Sequence, residues 1–130
     1  MKLPCVTTPI QLRFSDVDML GHVSNSLYAR YFDLGRIDFF TAIDDEPKPV
    51  SVVRTVSYEM FREVKLLDKP ELLTWCREIE GKRLYIAHEL YVGSQLCTTG
   101  EVLCLGFDPE SRKTSEFPAH WQASAEPERP

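Results

Sequence analysis

Apolar side chains recur at helical spacing across residues 26–43, SLYARYFDLGRIDFFTAI. Leu27, Tyr28, Tyr31, Phe32, Leu34, Ile37, Phe39, Phe40 and Ile43 surround much of a helical wheel and leave a narrow polar stripe near Arg30, Asp33 and Thr41. A helix with this pattern is expected to be buried on most sides. Gly35, near its middle, costs about 1 kcal/mol relative to alanine, a penalty best tolerated where another backbone packs closely. After the loop DDEPKP the period changes to two, over residues 50–64, 72–80, 83–92 and 96–107, with breaks at Asp68-Lys69-Pro70, Gly81-Lys82 and Gly93-Ser94. The two glycine turns predict hairpins. In the third of these segments Leu84, Ile86, Leu90 and Val92 share a face with His88, and in the fourth Leu96, Val102 and Cys104 share one with Gly100. A short leading strand is expected over residues 6–14. The order predicts an α+β fold in which a curved antiparallel sheet of about five strands wraps around one long central helix.

With 130 residues, 43% of them hydrophobic, the chain is large enough for one core and not for two. The domain is expected over residues 1–121, with Pro118 opening a short helix that docks Trp121, and 122–130 as a flexible tail with little to bury. Twenty acidic against fifteen basic residues, a formal charge of −5, argue against non-specific nucleic-acid binding. The start MKLPCVTTPI lacks the apolar core of a signal peptide, and no run approaches the roughly 18 to 20 apolar residues that span a bilayer. The expectation is a soluble, cytoplasmic protein. Cys5, Cys76, Cys97 and Cys104 form no C-x-x-C pair, and His22, His88 and His120 show no metal-ligand spacing, so reduced structural cysteines and neither metal nor cofactor are expected.

The chemistry concentrates in residues 13–40. Asp16 and Asp18 follow an apolar run, Gly21 permits a sharp turn, and Ser24, Asn25 and Ser26 are residue types that cap helices. A carboxylate is thereby delivered beside helix-start N–H groups that carry about half an elementary charge and can stabilise an oxyanion. The combination suits attack on a carbonyl.

The segment DVDMLGHVSNSLYARYFDLGR resembles the signature of the 4-hydroxybenzoyl-CoA thioesterase family of hotdog-fold acyl-CoA thioesterases, approximately D-x-D-x-x-G-H-V-x-N-x-x-Y-x-x-Y-x-E-x-x-R. The order of one helix and then four strands extends the likeness over about residues 6–121. The resemblance implies a hotdog fold and acyl-CoA hydrolysis, with Asp18 as nucleophile or general base. It also implies that the backbone N–H near Asn25 polarises the thioester carbonyl, and that Gly21 and Val23 stand on the substrate side of the loop. Two sheets would join edge to edge in a homodimer, or a dimer of dimers, with each cleft between protomers. Ser24 and Asp33 depart from the usual asparagine and glutamate, and touch loop hydrogen bonding and helix orientation rather than chemistry.

Each residue also has a plainer reading. Asp18 and Asn25 can be caps, Asp16 can fold back on loop N–H groups, His22 can brace the loop or act beside Asp18, and Tyr28 and Tyr31 can be core or acyl-pocket walls. Lys82-Arg83 and Arg112-Lys113 are solvated charges or, in a CoA enzyme, grips for the nucleotide phosphates. Two other functions are weighed. A hotdog enoyl-CoA hydratase requires D-x-N-P-x-H, which Asp18 and His22 do not match, and a non-catalytic acyl-binding dimer sits poorly with an intact D-x-D and G-H-V-x-N. The acyl group is not specified by this segment, and the acidic net charge slightly disfavours acyl carrier protein as thioester donor.

Overall fold

The computed structural model describes residues 1–130. The helical period becomes α1 (Tyr28–Thr41), and the alternating segments become β2 (Val50–Met60), β3 (Pro70–Glu80), β4 (Arg83–Val92) and β5 (Gln95–Asp108). A short β1 (Cys5–Pro9) precedes the helix and a two-residue β6 (Lys113–Thr114) follows β5. All pairings are antiparallel, in the order β1-β3-β4-β5-β2, with β6 added to β5. The sheet curls around α1 as a half-barrel, which is the hotdog arrangement. No helix is long and apolar enough to cross a membrane.

The helix packs through Tyr28, Tyr31, Phe32, Gly35, Arg36 and Phe39, all buried. Gly35 answers the question its position raises: a Cβ there would run into the Thr74 hydroxyl and a Leu72 methyl on β3. Opposite the helix, Leu84, Ile86, His88 and Leu90 on β4 and Val102 and Cys104 on β5 are buried as the period of two predicts. Leu96 is not with them. It packs with Leu73, Trp75, Ala87 and Tyr91 in a separate cluster, because a register shift opposite Leu90/Tyr91 inserts one residue and reverses which face Leu96 meets.

Element ends also differ from the sequence expectation. β1 stops at Pro9, β2 stops at Met60, and the helix is preceded by a 3-10 turn, Asn25–Leu27. Pro118 opens a turn rather than a helix, closed by the Trp121 N–H on the Pro118 carbonyl at 3.0 Å; Trp121 is buried all the same, stacked on Phe117 and donating from Nε1 to Asp45 at 2.8 Å. Residues 122–130, expected to lack partners, lie along the sheet. β1 begins at Cys5 opposite Trp75, so the next residue of β3 has an open edge. Ser124 fills it, donating its N–H to the Cys76 carbonyl at 2.9 Å and accepting the Cys76 N–H on its hydroxyl at 2.8 Å. Further on, Arg129 places its guanidinium 5.3 Å from the Trp75 ring centre and pairs with Glu89 at 3.0 Å. Hydrogen bonds and one cation–π contact hold a segment whose composition offers little apolar surface.

Candidate active site

The loop that carries the two aspartates is a small ladder of its own. Val17 bridges Val23, the Asp18 N–H donates to the His22 carbonyl at 3.0 Å, and the Gly21 N–H returns to the Asp18 carbonyl at 3.0 Å. Gly21 sits at φ 81°, the left-handed region that lets so tight a reversal close without a side-chain clash. The outer strand of this hairpin is anchored in turn, Val23 donating to the Val64 carbonyl at 2.7 Å and His22 bridging Lys65.

The aspartates are two residues apart and meet different surroundings. Asp16 is buried: its Oδ2 accepts the Tyr31 hydroxyl at 3.0 Å and the Arg13 N–H at 3.2 Å, and its Oδ1 lies 3.2 Å from the Arg13 guanidinium. Burial by itself would raise its pKa, but the Arg13 N–H, the Tyr31 hydroxyl and the Arg13 charge outweigh it and hold the carboxyl below its ordinary value. The same contact and burial push the Tyr31 hydroxyl upward, burial first. Asp18 keeps 38% of its side chain exposed. Its Oδ1 accepts the Leu20 N–H at 2.9 Å, its Oδ2 stands 3.7 Å from His22 Nδ1, and no lysine or arginine pairs with it. His22 Nε2 is 4.0 Å from Glu63 on its other side. Asp16 is thus a fixed brace between loop and helix, and Asp18 is an available carboxylate oriented by one N–H and one imidazole.

Asp18 opens onto a cleft of about 560 Å³ lined by Phe14, Val17, Met19, Gly21 and Leu66 as well as Asp18 itself. Asn25 is exposed at the first position of the 3-10 turn and does not line this cleft within one chain. No side chain caps the helix start, contrary to the expectation from Ser24, Asn25 and Ser26; the Leu27 N–H closes on the Ser24 carbonyl at 3.0 Å instead. That turn leaves the Asn25 and Ser26 N–H groups without an intrahelical acceptor. Tyr58 on β2 holds the turn from below, its hydroxyl donating to the Asn25 carbonyl at 3.0 Å. Sequence reasoning missed Tyr58, which strand alternation marks only as one more position. Phe14, Met19 and Leu66 were missed as well, since nothing local says that they converge on Asp18.

Val23 and Tyr28 are buried in the main core, and Tyr31, buried too, borders a different groove with Arg13, Arg30 and Asp33. Lys82-Arg83 and Arg112-Lys113, some thirty residues apart in sequence, come together: Lys82 Nζ donates to Thr114 Oγ1 at 3.3 Å, beside Lys113 on β6. They lie at the Arg83 end of β4, whereas the Asp18 loop is held by Val64 and Lys65, just ahead of Pro70, which pairs with Val92 at the other end. The length of β4, about 30 Å at 3.3 Å per residue, separates the two regions within one chain.

Comparison with known proteins follows the fold. A family model described as the thioesterase-like superfamily matches residues 12–124. No curated protein matches the sequence. The chain is similar to a predicted thioesterase from Bacillus stearothermophilus at 19% identity, covering 89% of this chain and 90% of that one with a TM-score of 0.80. A thioesterase complexed with coenzyme A and Zn from Thermus thermophilus is similar at 21% identity, covering 90% and 87%, with a TM-score of 0.79. A mutant 4-hydroxybenzoyl CoA thioesterase complexed with 4-hydroxybenzoyl CoA is similar at 18% identity, covering 88% and 94%, with a TM-score of 0.76. At these identities the likeness is one of fold.

Proposed function

The chain belongs to the thioesterase-like superfamily, and on that premise we propose that it hydrolyses acyl-CoA thioesters to a free acid and CoA, with Asp18 as nucleophile or general base. The observation that carries the reading is the contrast at the D-x-D pair: Asp16 is buried and fully engaged, while Asp18, half open on an apolar cleft, has no cation to quench it. A substrate that covers the apolar wall displaces water from beside Asp18 and so strengthens the attraction between the carboxylate and the electrophilic carbonyl carbon.

In the nucleophilic route an Asp18 oxygen bonds to the thioester carbon, the electron pair moves to the carbonyl oxygen, and its return expels the CoA thiolate to leave a mixed anhydride that water hydrolyses. In the general-base route Asp18 takes a proton from water as the water oxygen attacks. Either way negative charge develops on the carbonyl oxygen, and the open N–H groups at Asn25 and Ser26 are the donors suited to it. His22 orients the Asp18 carboxylate from 3.7 Å. The enoyl-CoA hydratase and acyl-binding alternatives gain no feature from this arrangement.

The reading extends to assembly. β2 is an edge strand, paired with β5 on one side only, and its Val50, Val52, Val53, Val56, Tyr58 and Met60 are exposed. Such an edge is a template for a second copy. Antiparallel pairing of two β2 strands in a homodimer brings the Val50 end of one sheet, with Lys82-Arg83 and Arg112-Lys113, level with the Asp18 end of the other. The phosphate grip proposed for these four residues then serves the partner's Asp18 rather than that of their own chain.

The test is release of free thiol from acyl-CoAs by the purified chain, together with single turnover in labelled water. Label recovered in Asp18 identifies the anhydride route. Absence of thiol release across acyl-CoAs and acyl carrier protein thioesters refutes the proposal.

A further inference from the structure

Four large apolar side chains near Asp18 have nothing in the chain to pack against: Phe14, Met19, Leu20 and Leu67 are each at least 80% exposed. They sit on connections, whereas most of the other exposed apolar residues lie along the β2 edge or on α1. Phe14 and Met19, with Val17 and Leu66, wall the cleft in which Asp18 is the one charged group. Charged residues beside that loop are engaged elsewhere: Arg13 lies 3.2 Å from Asp16, Lys65 lies 3.6 Å from Glu63, and Glu63 faces His22. No arginine or lysine lines the cleft.

This inference rests on Asp18 as the attacking carboxylate. We propose that the collar of Phe14, Val17, Met19 and Leu66 takes up the acyl chain, and that it selects an apolar, uncharged acyl group over one ending in a carboxylate. The acyl chain is bonded to the carbon that Asp18 must reach, and of the two groups on that carbon the acyl chain is the one whose apolar surface matches the cleft, while the pantetheine carries polar amides. Each methylene withdrawn from water there is worth up to about a fourfold gain in kcat/KM. Met19, unbranched and flexible, fits itself to chains of different length. A terminal carboxylate would enter an apolar wall beside Asp18 where no cation of this chain lines the cleft. In the dimer the four basic residues brought to this end are taken up by the nucleotide phosphates, so the placement is costly.

The test compares straight-chain acyl-CoAs from acetyl to dodecanoyl, sets succinyl-CoA against butanoyl-CoA as a matched four-carbon pair, and measures by calorimetry the binding of S-alkyl-CoA thioethers, which cannot be hydrolysed. The expected result is a graded rise in kcat/KM and in thioether affinity with chain length, and succinyl-CoA slower than butanoyl-CoA on the order of 100-fold. Met19→Gln and Leu66→Gln are expected to cut the gain per methylene to below about twofold. A flat profile with both turnover and thioether binding, or equal rates for succinyl-CoA and butanoyl-CoA, overturns the proposal. A graded profile unmoved by the glutamine variants, with a change in sedimentation instead, assigns the collar to a second copy of the chain and also overturns it. Graded thioether binding without any hydrolysis upholds the collar and refutes the hydrolytic reading, so the two failures are distinct.

Discussion

Phe32 lies flat on the imidazole of His88, ring centres 4.5 Å apart and planes within 2° of each other, where α1 meets β4. His88 Nδ1 is 2.9 Å from Thr74 Oγ1, and the space that a Cβ at Gly100 would need is filled by the Phe32 ring. Burial, and next to it the charge of Arg36, hold the His88 pKa well below its ordinary value, so the folded protein keeps this ring neutral.

The sign of the resulting pH dependence follows. An unfolded chain binds a proton at His88 near the usual histidine pKa of about 6.5, and the folded chain does not. Stability from this group is therefore complete above about pH 6.5 and is lost as pH falls below it, with a slope of at most about 1.4 kcal/mol per pH unit. Urea titrations from pH 7.5 to 5 are expected to show the decline, and His88→Gln to flatten it. An equal slope in the variant would assign the effect elsewhere.

Gly35→Ala opposes helix propensity to packing. The substitution favours the helix by about 1 kcal/mol, but the new methyl would meet Thr74 and Leu72, and overpacking typically costs about 1 to 3 kcal/mol. Net destabilisation is expected in a denaturant titration. A more stable variant would mean that the helix can lift off β3 freely.

The two aspartates are expected to separate by readout. Asp18→Asn keeps shape and loses the reactive charge, so kcat is expected to fall on the order of 100-fold or more with the melting temperature unchanged. Asp16→Asn loses charge-assisted hydrogen bonds in a buried setting and is expected to cost about 2 kcal/mol of stability. Near-normal turnover in Asp18→Asn would reduce Asp18 to a turn residue.

Charge-removing substitutions at Lys82-Arg83 or Arg112-Lys113 are expected to raise KM for acyl-CoA while leaving turnover at saturation in place. The effect should shrink with salt, since exposed charges are screened beyond about 8 to 10 Å. An acyl-pantetheine lacking the nucleotide is expected to show no defect. Equal defects on both substrates would make these residues structural.

Arg129→Ala is expected to uncover Trp75 and shift its emission to longer wavelength, and to expose the bond after Ala125 to proteolysis. Unchanged fluorescence would show that Pro127 and its neighbours hold the segment without the guanidinium.

Period and local chemistry are properties of neighbours along the chain, and these the sequence determined by itself: the helical wheel from Tyr28 onward, the alternation of β4, the hairpin turns at Gly81 and Gly93, and the loop in which Asp18 precedes Gly21 and His22. Close approach at Gly35 was legible too, because an internal glycine in a helix needs a reason. Long-range register was decided only in three dimensions. One inserted residue opposite Leu90/Tyr91 turned Leu96 to the other face, β1 ending its pairing at Cys5 opened the edge that Ser124 occupies, and the antiparallel run of β4 carried Lys82-Arg83 a sheet's length from Asp18. Asp16 and Asp18 parted because Asp16 closes the 3-10 turn Phe14–Asp16 whereas Asp18 follows it in the hairpin begun by Val17, so the two do not share a strand face. The partners that wait there, Tyr31 for one and an apolar cleft for the other, are supplied by residues far along the chain.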